Sequence, residues 1–434
     1  MGSVRISRRV FLGAGLLGPV GFWASGAVQS SHAQAPSDKL NIAVIGCGGR
    51  GAANLKAVSS QNIVALCDVD EERLAAAAKD FPKARRYCDF RQMFDEMHSA
   101  IDAVVVSTPD HTHAPASVLA MNLGKHVYCE KPLCHSIYEA RRMAEVAAKT
   151  KVATQMGNQH HWGYRRPVEI VRSGLLGTIR EVHAWSDRNF SGGNRPKETP
   201  PVPAHLKWDI WLGPAPARPY HPVYHPFRWR GWWDFGTGSL GDMGCHICDP
   251  AVWALELDKA TTITVTAEGP PVHPESTPAW AIVRYTFPPR GKLPTVTVIW
   301  YHGGKLPPKD VAGDMKLPSN GSLFVGEKGK LLVPHGGHPS VFPEDLQADL
   351  QKIKGTISAP ATSHHAEWLQ ACKTGQTTGS NFAYAARLTE IVLLGNVAYR
   401  VGKPIEWEVA TMRAKNCSEA SQFVRRDYRK GWTL

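Results

Sequence analysis

Lys131, Asp242 and His246 are side chains that could move a proton, and they lie in two short segments of this 434-residue chain. Lys131 occupies a Glu130-Lys131-Pro132 turn, where a positive charge could bind and polarise a substrate hydroxyl. Asp242 and His246 are four residues apart, so on a helix the carboxylate could orient the imidazole and stabilise its protonated form. Taken alone, an ion pair with Glu130 or a capping or surface role would explain the same residues.

A glycine-rich loop directly follows the apolar strand predicted at Leu40–Ile45 and opens a helix. Its spacing, GxGxxG, is in that context the fingerprint of a dinucleotide-binding turn, with the pyrophosphate at the helix N-terminus. A glycine turn without a cofactor is the alternative. The residues predicted to contact the dinucleotide here are Gly46, Gly48, Gly49, Arg50 and Gly51.

Asp68 directly follows the second predicted strand, 63–67. At this position in the sequence after a glycine-rich loop, an acid accepts hydrogen bonds from the ribose hydroxyls of the dinucleotide. This favours NAD over NADP. Arg50 or Arg86 could still accommodate a ribose phosphate, so NADP stays open, and Asp68 could instead cap the following helix.

Two further segments follow predicted strands at their carboxyl ends, where an open α/β sheet binds its ligand. Ser107–His113 follows strand 103–107, and Glu130-Lys131 follows strand 126–129. We therefore expect cofactor contacts from Thr108, Pro109, His111, Glu130 and Lys131.

The elements that position these residues alternate between strand and helix from residue 40 to 156, which predicts a doubly wound parallel sheet. From residue 179, longer and more separated strands predict an α+β domain with a large, mostly antiparallel sheet. We expect a Rossmann domain at 34–158 and a domain for substrate binding and homo-oligomerisation through its sheet at 159–434. One long helix is predicted at 239–257.

The stretch between Pro196 and Trp233 holds nine prolines and five tryptophans, too many prolines for regular structure. We expect an ordered loop. Aromatic rings pack against the apolar faces of sugars, which makes Trp229 a candidate substrate contact. The alternative is that these rings fasten the loop to the domain or fill a subunit interface.

The N-terminus indicates export. Arg8-Arg9-Val10-Phe11-Leu12 resembles a twin-arginine signal, and we expect residues 1–33 to be removed in the periplasm, leaving no stable membrane anchor. The net charge of +12 is diffuse, so nucleic acid binding is not expected. Nine scattered cysteines predict buried free thiols, and Cys245 and Cys248 lack the second pair that a zinc site needs.

The glycine loop, Thr108–His113, Glu130-Lys131-Pro132 and the Asp242/His246 pair together resemble, in this order, the Gfo/Idh/MocA family of oxidoreductases. The resemblance implies hydride transfer between nicotinamide and a secondary hydroxyl of a sugar or polyol. It implies that His246 takes the hydroxyl proton, Lys131 stabilises the alkoxide and Asp242 fixes the imidazole. It also makes Asn158, His160 and Tyr164 candidates for substrate contact, with Asn158 close to the cofactor as well.

Two other functions stay open. Because free NAD is scarce outside the cytoplasm, a tightly bound cofactor could serve the closed redox cycle of a glycosidase, lyase or epimerase. A non-catalytic sugar-binding or structural subunit is the second alternative. The Glu-Lys-Pro turn and the intact Lys131, Asp242 and His246 favour the dehydrogenase.

Overall fold

Six parallel strands form the first of two sheets in the computed structural model, which describes residues 39–359 and 361–434. Their spatial order is β3-β2-β1-β4-β5-β6, so the order reverses between β1 and β4. The strands are β1 (Asn41–Ile45), β2 (Asn62–Cys67), β3 (Arg85–Tyr87), β4 (Ala103–Val106), β5 (His126–Glu130) and β6 (Thr154–Gly157). The helices that connect and follow them are α1 (Arg50–Val58), α2 (Glu71–Asp80), α3 (Phe90–Met97), α4 (Asp110–Asn122) and α5 (Ile137–Thr150).

Nine strands form the second sheet, in the order β13-β12-β11-β7-β10-β9-β8-β14-β15. Only β7 and β10 pair in parallel; the other pairs are antiparallel. The strands are β7 (Ile179–Ser186), β8 (Thr262–Glu268), β9 (Ala281–Phe287), β10 (Val296–His302), β11 (Asn320–Gly326), β12 (Lys330–Pro334), β13 (Ser340–Phe342), β14 (Ile405–Glu408) and β15 (Arg413–Ala414). The predicted fold class, a doubly wound α/β sheet followed by an α+β part, is confirmed.

The remaining helices cover the second sheet and join it to the first. They are α6 (Arg165–Arg172), α7 (Trp208–Leu212), α8 (Gly238–Ile247), α9 (Asp249–Ala254), α10 (Lys309–Ala312), α11 (Leu346–Leu350), α12 (His364–Thr374), α13 (Phe382–Val401) and α14 (Ser421–Val424). The apolar helix α13 packs against α5, α8 and β8. One hydrophobic core therefore contains buried side chains from both sheets.

Two expectations about these elements are wrong. The proline-rich stretch contains α7 and a turn of 3-10 helix at Arg228–Gly231, and its rings pack in an aromatic cluster. The helix predicted at 239–257 is divided at Cys248, because Pro250 at the start of α9 lacks the N–H that a continuous helix would need.

The predicted export signal, residues 1–33, lies outside the described residues. Among the residues that are described, no helix is both long and apolar enough to cross a membrane. All nine cysteines are free thiols, and seven of them are buried, as the sequence predicts.

Candidate active site

The glycine loop connects β1 to α1 with the geometry that a dinucleotide turn needs. Gly46 has φ 87°, and a Cβ there would lie 2.6 Å from Ser107 O and 3.1 Å from Thr108 N. A Cβ at Gly51 would overlap Gly46 O. Gly49, the residue before α1, has φ 54° and has no side chain that could cap the helix. The first N–H groups of α1 therefore have no side-chain cap and can bind an anion.

Asp68 lies beside this loop at the end of β2. Its Oδ2 accepts the Cys47 N–H at 2.7 Å, and its Oδ1 accepts the Asp70 N–H at 2.9 Å. Burial raises the pKa of Asp68, against the opposing effect of these two bonds. The two amides fix the carboxylate, and each oxygen keeps a lone pair for a ribose hydroxyl.

Arg73 crosses the same loop, and its Cδ lies 2.6 Å from where a Cβ at Gly48 would be. Its Nε is 3.3 Å from Asp70 Oδ2. Arg73 thus lies against the glycine loop that contains Arg50, whereas Arg86 is exposed on β3. The sequence did not single it out, because its position in the helical pattern of α2 is that of an ordinary surface residue.

Lys131 and Asp242 form an ion pair at the carboxyl end of β5. Lys131 Nζ donates to Asp242 Oδ1 at 2.7 Å and to Asp242 O at 2.8 Å, and both side chains are about 13 to 14% exposed. Arg230 Nε donates to the same Oδ1 at 3.2 Å. Burial opposes ionisation, but Lys131 and Arg230 outweigh it and lower the pKa of Asp242.

His246 lies one turn farther along α8, beside two other histidines. The ring centroids of His160 and His335 lie 5.7 Å and 5.0 Å from that of His246. His246 Nδ1 is buried and has no hydrogen-bond partner among the described residues. Burial, followed by the charge of Lys131, lowers the pKa of His246 well below 6.5, so its ring is neutral. A neutral imidazole can accept a proton.

Asp242 does not orient His246, contrary to the prediction. Its bonded oxygen faces Lys131 and Arg230, and no hydrogen bond joins it to the imidazole. The two cations neutralise the buried negative charge of the carboxylate, because they are stronger hydrogen-bond partners than a neutral ring. Asp242 therefore positions Lys131.

Two models of an oxidoreductase family match the chain, and together they span more than half of it. The model of an NAD-binding Rossmann fold matches residues 40–158, and the model of a C-terminal alpha/beta domain matches residues 166–293. The chain belongs to the Gfo/Idh/MocA family.

Curated Gfo/Idh/MocA relatives resemble this chain over part of their length. Inositol 2-dehydrogenase 2 of Saccharopolyspora erythraea is 32% identical over 152 residues, which is 33% of this chain and 44% of that protein. Glucose-6-phosphate 3-dehydrogenase of Bacillus subtilis is 27% identical, over 51% of this chain and 55% of its own. The chain thus matches about half the length of these relatives.

Solved structures of this family share the fold. Levoglucosan dehydrogenase in complex with NADH superposes with a TM-score of 0.58 at 17% identity, covering 85% of this chain and 99% of that one.

Two residues predicted to touch cofactor or substrate are fully buried and bonded to other parts of the protein. His111 is fully buried, with Nε2 2.9 Å from Trp211 O and Nδ1 3.2 Å from Phe235 O. Burial and the nearby Arg426 lower the pKa of His111 to about 3. Asn158 is fully buried and donates to Asp249 Oδ2 at 2.9 Å while accepting from Ser380 at 2.7 Å. Both hold segments together, and the predicted contacts are wrong for both.

Trp229 is 6% exposed, and the guanidinium of Arg230 lies 4.2 Å from its ring centroid, so its contact with a sugar stays a prediction. It fastens the proline-rich segment, which is the alternative that the sequence left open. Glu130 is 5% exposed, and its Oε1 accepts from Asn54, Gln159 and Arg50. It fixes α1 to the end of β5.

The other predicted residues lie around the centre. Thr108 and Pro109 lead into α4 beside the glycine turn. Tyr164 Oη is 3.4 Å from His335 Nδ1, and His160 and His335 have ring centroids 4.1 Å apart. The sequence missed His335 and Arg230. Neither has a local motif, since Arg230 lies in the 3-10 turn at Arg228–Gly231 within the proline-rich stretch and His335 follows β12.

Proposed function

We propose that this protein is an NAD-dependent oxidoreductase that transfers hydride between nicotinamide and a secondary hydroxyl of a sugar or polyol. The observation that carries this proposal is the Lys131–Asp242 ion pair, with the neutral His246 on the same helix as Asp242. It lies at the carboxyl ends of the strands beside the glycine loop, where a doubly wound sheet binds its ligand. The relatives named as inositol and glucose-6-phosphate dehydrogenases support the substrate class.

The residues fit a dinucleotide. The turn at Gly46 leaves no room for a Cβ, α1 has no side-chain cap, and Asp68 is fixed at the end of β2. These groups would hold the pyrophosphate and the adenosine ribose. Bound NAD would supply the hydride acceptor. An acid at the ribose supports NAD rather than NADP, and binding of both cofactors to wild-type protein tests this choice.

Lys131 and His246 divide the proton chemistry in this proposal. Lys131, positioned by Asp242, donates a hydrogen bond to the substrate oxygen and stabilises the negative charge that develops there. His246, which is neutral, accepts the hydroxyl proton. His160 and His335 surround the imidazole and limit the space beside it, so they are positioned to contact the ring of the substrate.

A panel of sugars and polyols, followed at the nicotinamide absorbance with purified protein, tests the activity. We expect net NADH formation with at least one polyol and its loss in Lys131→Met. Products of elimination or epimerisation without net NADH would replace the proposal with a closed redox cycle. Binding of sugar by a wild-type protein that turns over none of the panel would favour a non-catalytic subunit.

We further propose that the protein is exported by the twin-arginine route with its cofactor already bound. The support is the Arg8-Arg9 pair ahead of an apolar stretch, because this route carries folded proteins. Arg8→Lys combined with Arg9→Lys should retain the chain in the cytoplasm, measured by fractionation.

The amount of NAD released on denaturation after extensive dialysis measures how tightly the protein retains its cofactor. Near-zero occupancy would contradict export with the cofactor bound.

We propose homo-oligomerisation through the second sheet. Half-buried apolar side chains, including Ile282, Val325 and Phe342, lie on its strands. Light scattering after size-exclusion chromatography tests this, and a monomeric mass would contradict it.

A further inference from the structure

A cavity of about 70 Å³ lies away from Lys131, between the start of α5, the segment before α8, the end of α13 and the C-terminal segment. Cationic side chains line it, and no acidic side chain does. The lining includes His135, Trp233, Arg400, Phe423, Arg425 and Arg426.

Arg400 brings to this cavity a guanidinium that stacks on aromatic rings. Its guanidinium carbon lies 4.0 Å from the ring centroid of Phe423 and 4.8 Å from that of Trp233. It forms no salt bridge with any residue in 39–359 or 361–434. Burial lowers the pKa of Arg400 to about 10, so the group stays charged at neutral pH. The carboxylate of Asp234 partly offsets this effect from a distance but is paired directly with Arg218, so a guanidinium without its own ion pair favours binding of an anion.

Two more polar groups at the cavity lack partners in the described part of the chain. Both ring nitrogens of His135 are buried and unbonded, and so is Nη1 of Arg426. The other nitrogens of Arg426 donate to Glu139 Oε1 at 2.8 Å and to His111 O at 2.6 Å, which fixes the position of the free Nη1. Buried polar groups are normally satisfied, so these atoms indicate a missing polar partner.

We propose that this cavity binds a small oxyanion, of the size of phosphate, sulfate or a short carboxylate, between Arg400, Arg426 and His135. Water could satisfy the free nitrogens, but only an anion would give Arg400 a direct ion pair. The proposal is independent of the activity at Lys131.

Thermal unfolding of the full chain at constant ionic strength tests the proposal, with phosphate, sulfate or acetate replacing chloride. We expect a rise in Tm that saturates with the oxyanion concentration, and comparison of the three salts identifies the preferred oxyanion. Arg400→Gln should weaken the apparent affinity about tenfold or more, as expected for loss of a charge-assisted contact. Arg413→Gln, which removes an exposed arginine of β15, should leave it unchanged.

A rise that does not saturate, or that is the same in Arg400→Gln, would reflect a general salt effect and overturn the proposal. If Arg400→Gln does not fold, crystals of the wild-type protein grown with selenate provide a second test. We expect anomalous density between Arg400 and Arg426. Water alone in the cavity, or selenate only at exposed side chains, would overturn the proposal.

Discussion

The carboxylate of Asp242 pairs with two cations. Replacing Lys131 can therefore change catalysis without strongly destabilising the fold. Lys131 and Arg230 both reach Oδ1, at 2.7 Å and 3.2 Å. A buried carboxylate left without a partner is strongly destabilising, but here Arg230 would remain if the lysine were removed. Lys131 can therefore be replaced without leaving Asp242 unpaired.

Lys131→Met should lower kcat by about 10²- to 10³-fold, the effect of removing one group that stabilises developing negative charge. Because Arg230 still pairs with Asp242, we expect Tm to change little. Lys149→Met, in the last turn of α5, is the matched control and should keep full activity. Wild-type kcat in Lys131→Met would remove Lys131 from the chemistry.

The neutral state of His246 predicts the pH dependence of hydroxyl oxidation. Burial and Lys131 lower its pKa well below 6.5, so the imidazole is already able to accept a proton at pH 6.5 and above. We expect kcat/KM to show no ionisation centred near pH 6.5 and to fall only in more acidic solution. A limb centred at 6.5 in wild-type protein would show that the ring titrates as an exposed histidine does.

The sequence predicts which residues form the site better than it predicts the contacts between them. The spacing of Asp242 and His246 predicted that both lie on one helix, and α8 contains both. Their partners could not be predicted, because Arg230 precedes α8 in a proline-rich segment and His335 follows β12. The preference of Asp242 for two cations over a neutral ring depends on Arg230 and on Lys131, which is 111 residues away in sequence.

Among the elements, α4 shows why a local signal can misplace a helix boundary. Proline is favoured in the first turn of a helix, so the sequence by itself predicts a helix from Pro115 to Leu123. The helix begins at Asp110 and continues through Pro115. The missing N–H of Pro115 leaves His111 O without its helical donor, and Arg426 Nη2 donates to that oxygen at 2.6 Å. A residue some three hundred positions away therefore sustains the helix.

Several strands of the second sheet escaped prediction for a related reason. β11 begins with Asn-Gly-Ser, residues that are typical of turns, and β15 has only two residues. β11 is a strand because it pairs with β7, which is far away in sequence, as well as with the neighbouring β12, and the two residues of β15 pair only with the neighbouring β14. The first sheet was easier, because each βαβ unit is local.

The close packing of α13 against its neighbours gives a prediction about the free energy of unfolding. A Cβ at Gly395 would overlap Tyr285 Oη and lie 2.6 Å from Leu240 Cδ2, both of them buried. Gly395→Ala should therefore destabilise the protein by about 1 to 3 kcal/mol, the usual effect of overpacking a core. Urea unfolding measures this change. Gly163→Ala, where a Cβ would meet open space, should be close to neutral. Unchanged stability of Gly395→Ala would show that α13 can shift away from β9.

For the molecule as a whole, buried neutral histidines link stability to pH. His302 is 2% exposed, and burial lowers its pKa to about 4; His111 is 0% exposed, and its pKa is about 3. His135, His246 and His364 also have a lowered pKa because they are buried. These rings lie in both halves of the fold, so their effect belongs to no single site.

The sign of the effect follows from proton uptake. Between pH 6.5 and about 4 the unfolded chain protonates His302 while the folded chain keeps it neutral, so the free energy of unfolding falls as the pH falls. Each such histidine contributes up to about 1.4 kcal/mol per pH unit in that range. Urea unfolding of the wild-type protein at several pH values should show this slope. His302→Gln can still accept the Trp300 Nε1–H and should flatten the slope, whereas the exposed control His338→Gln should not. Equal slopes in the two variants would show that His302 is protonated in the folded protein.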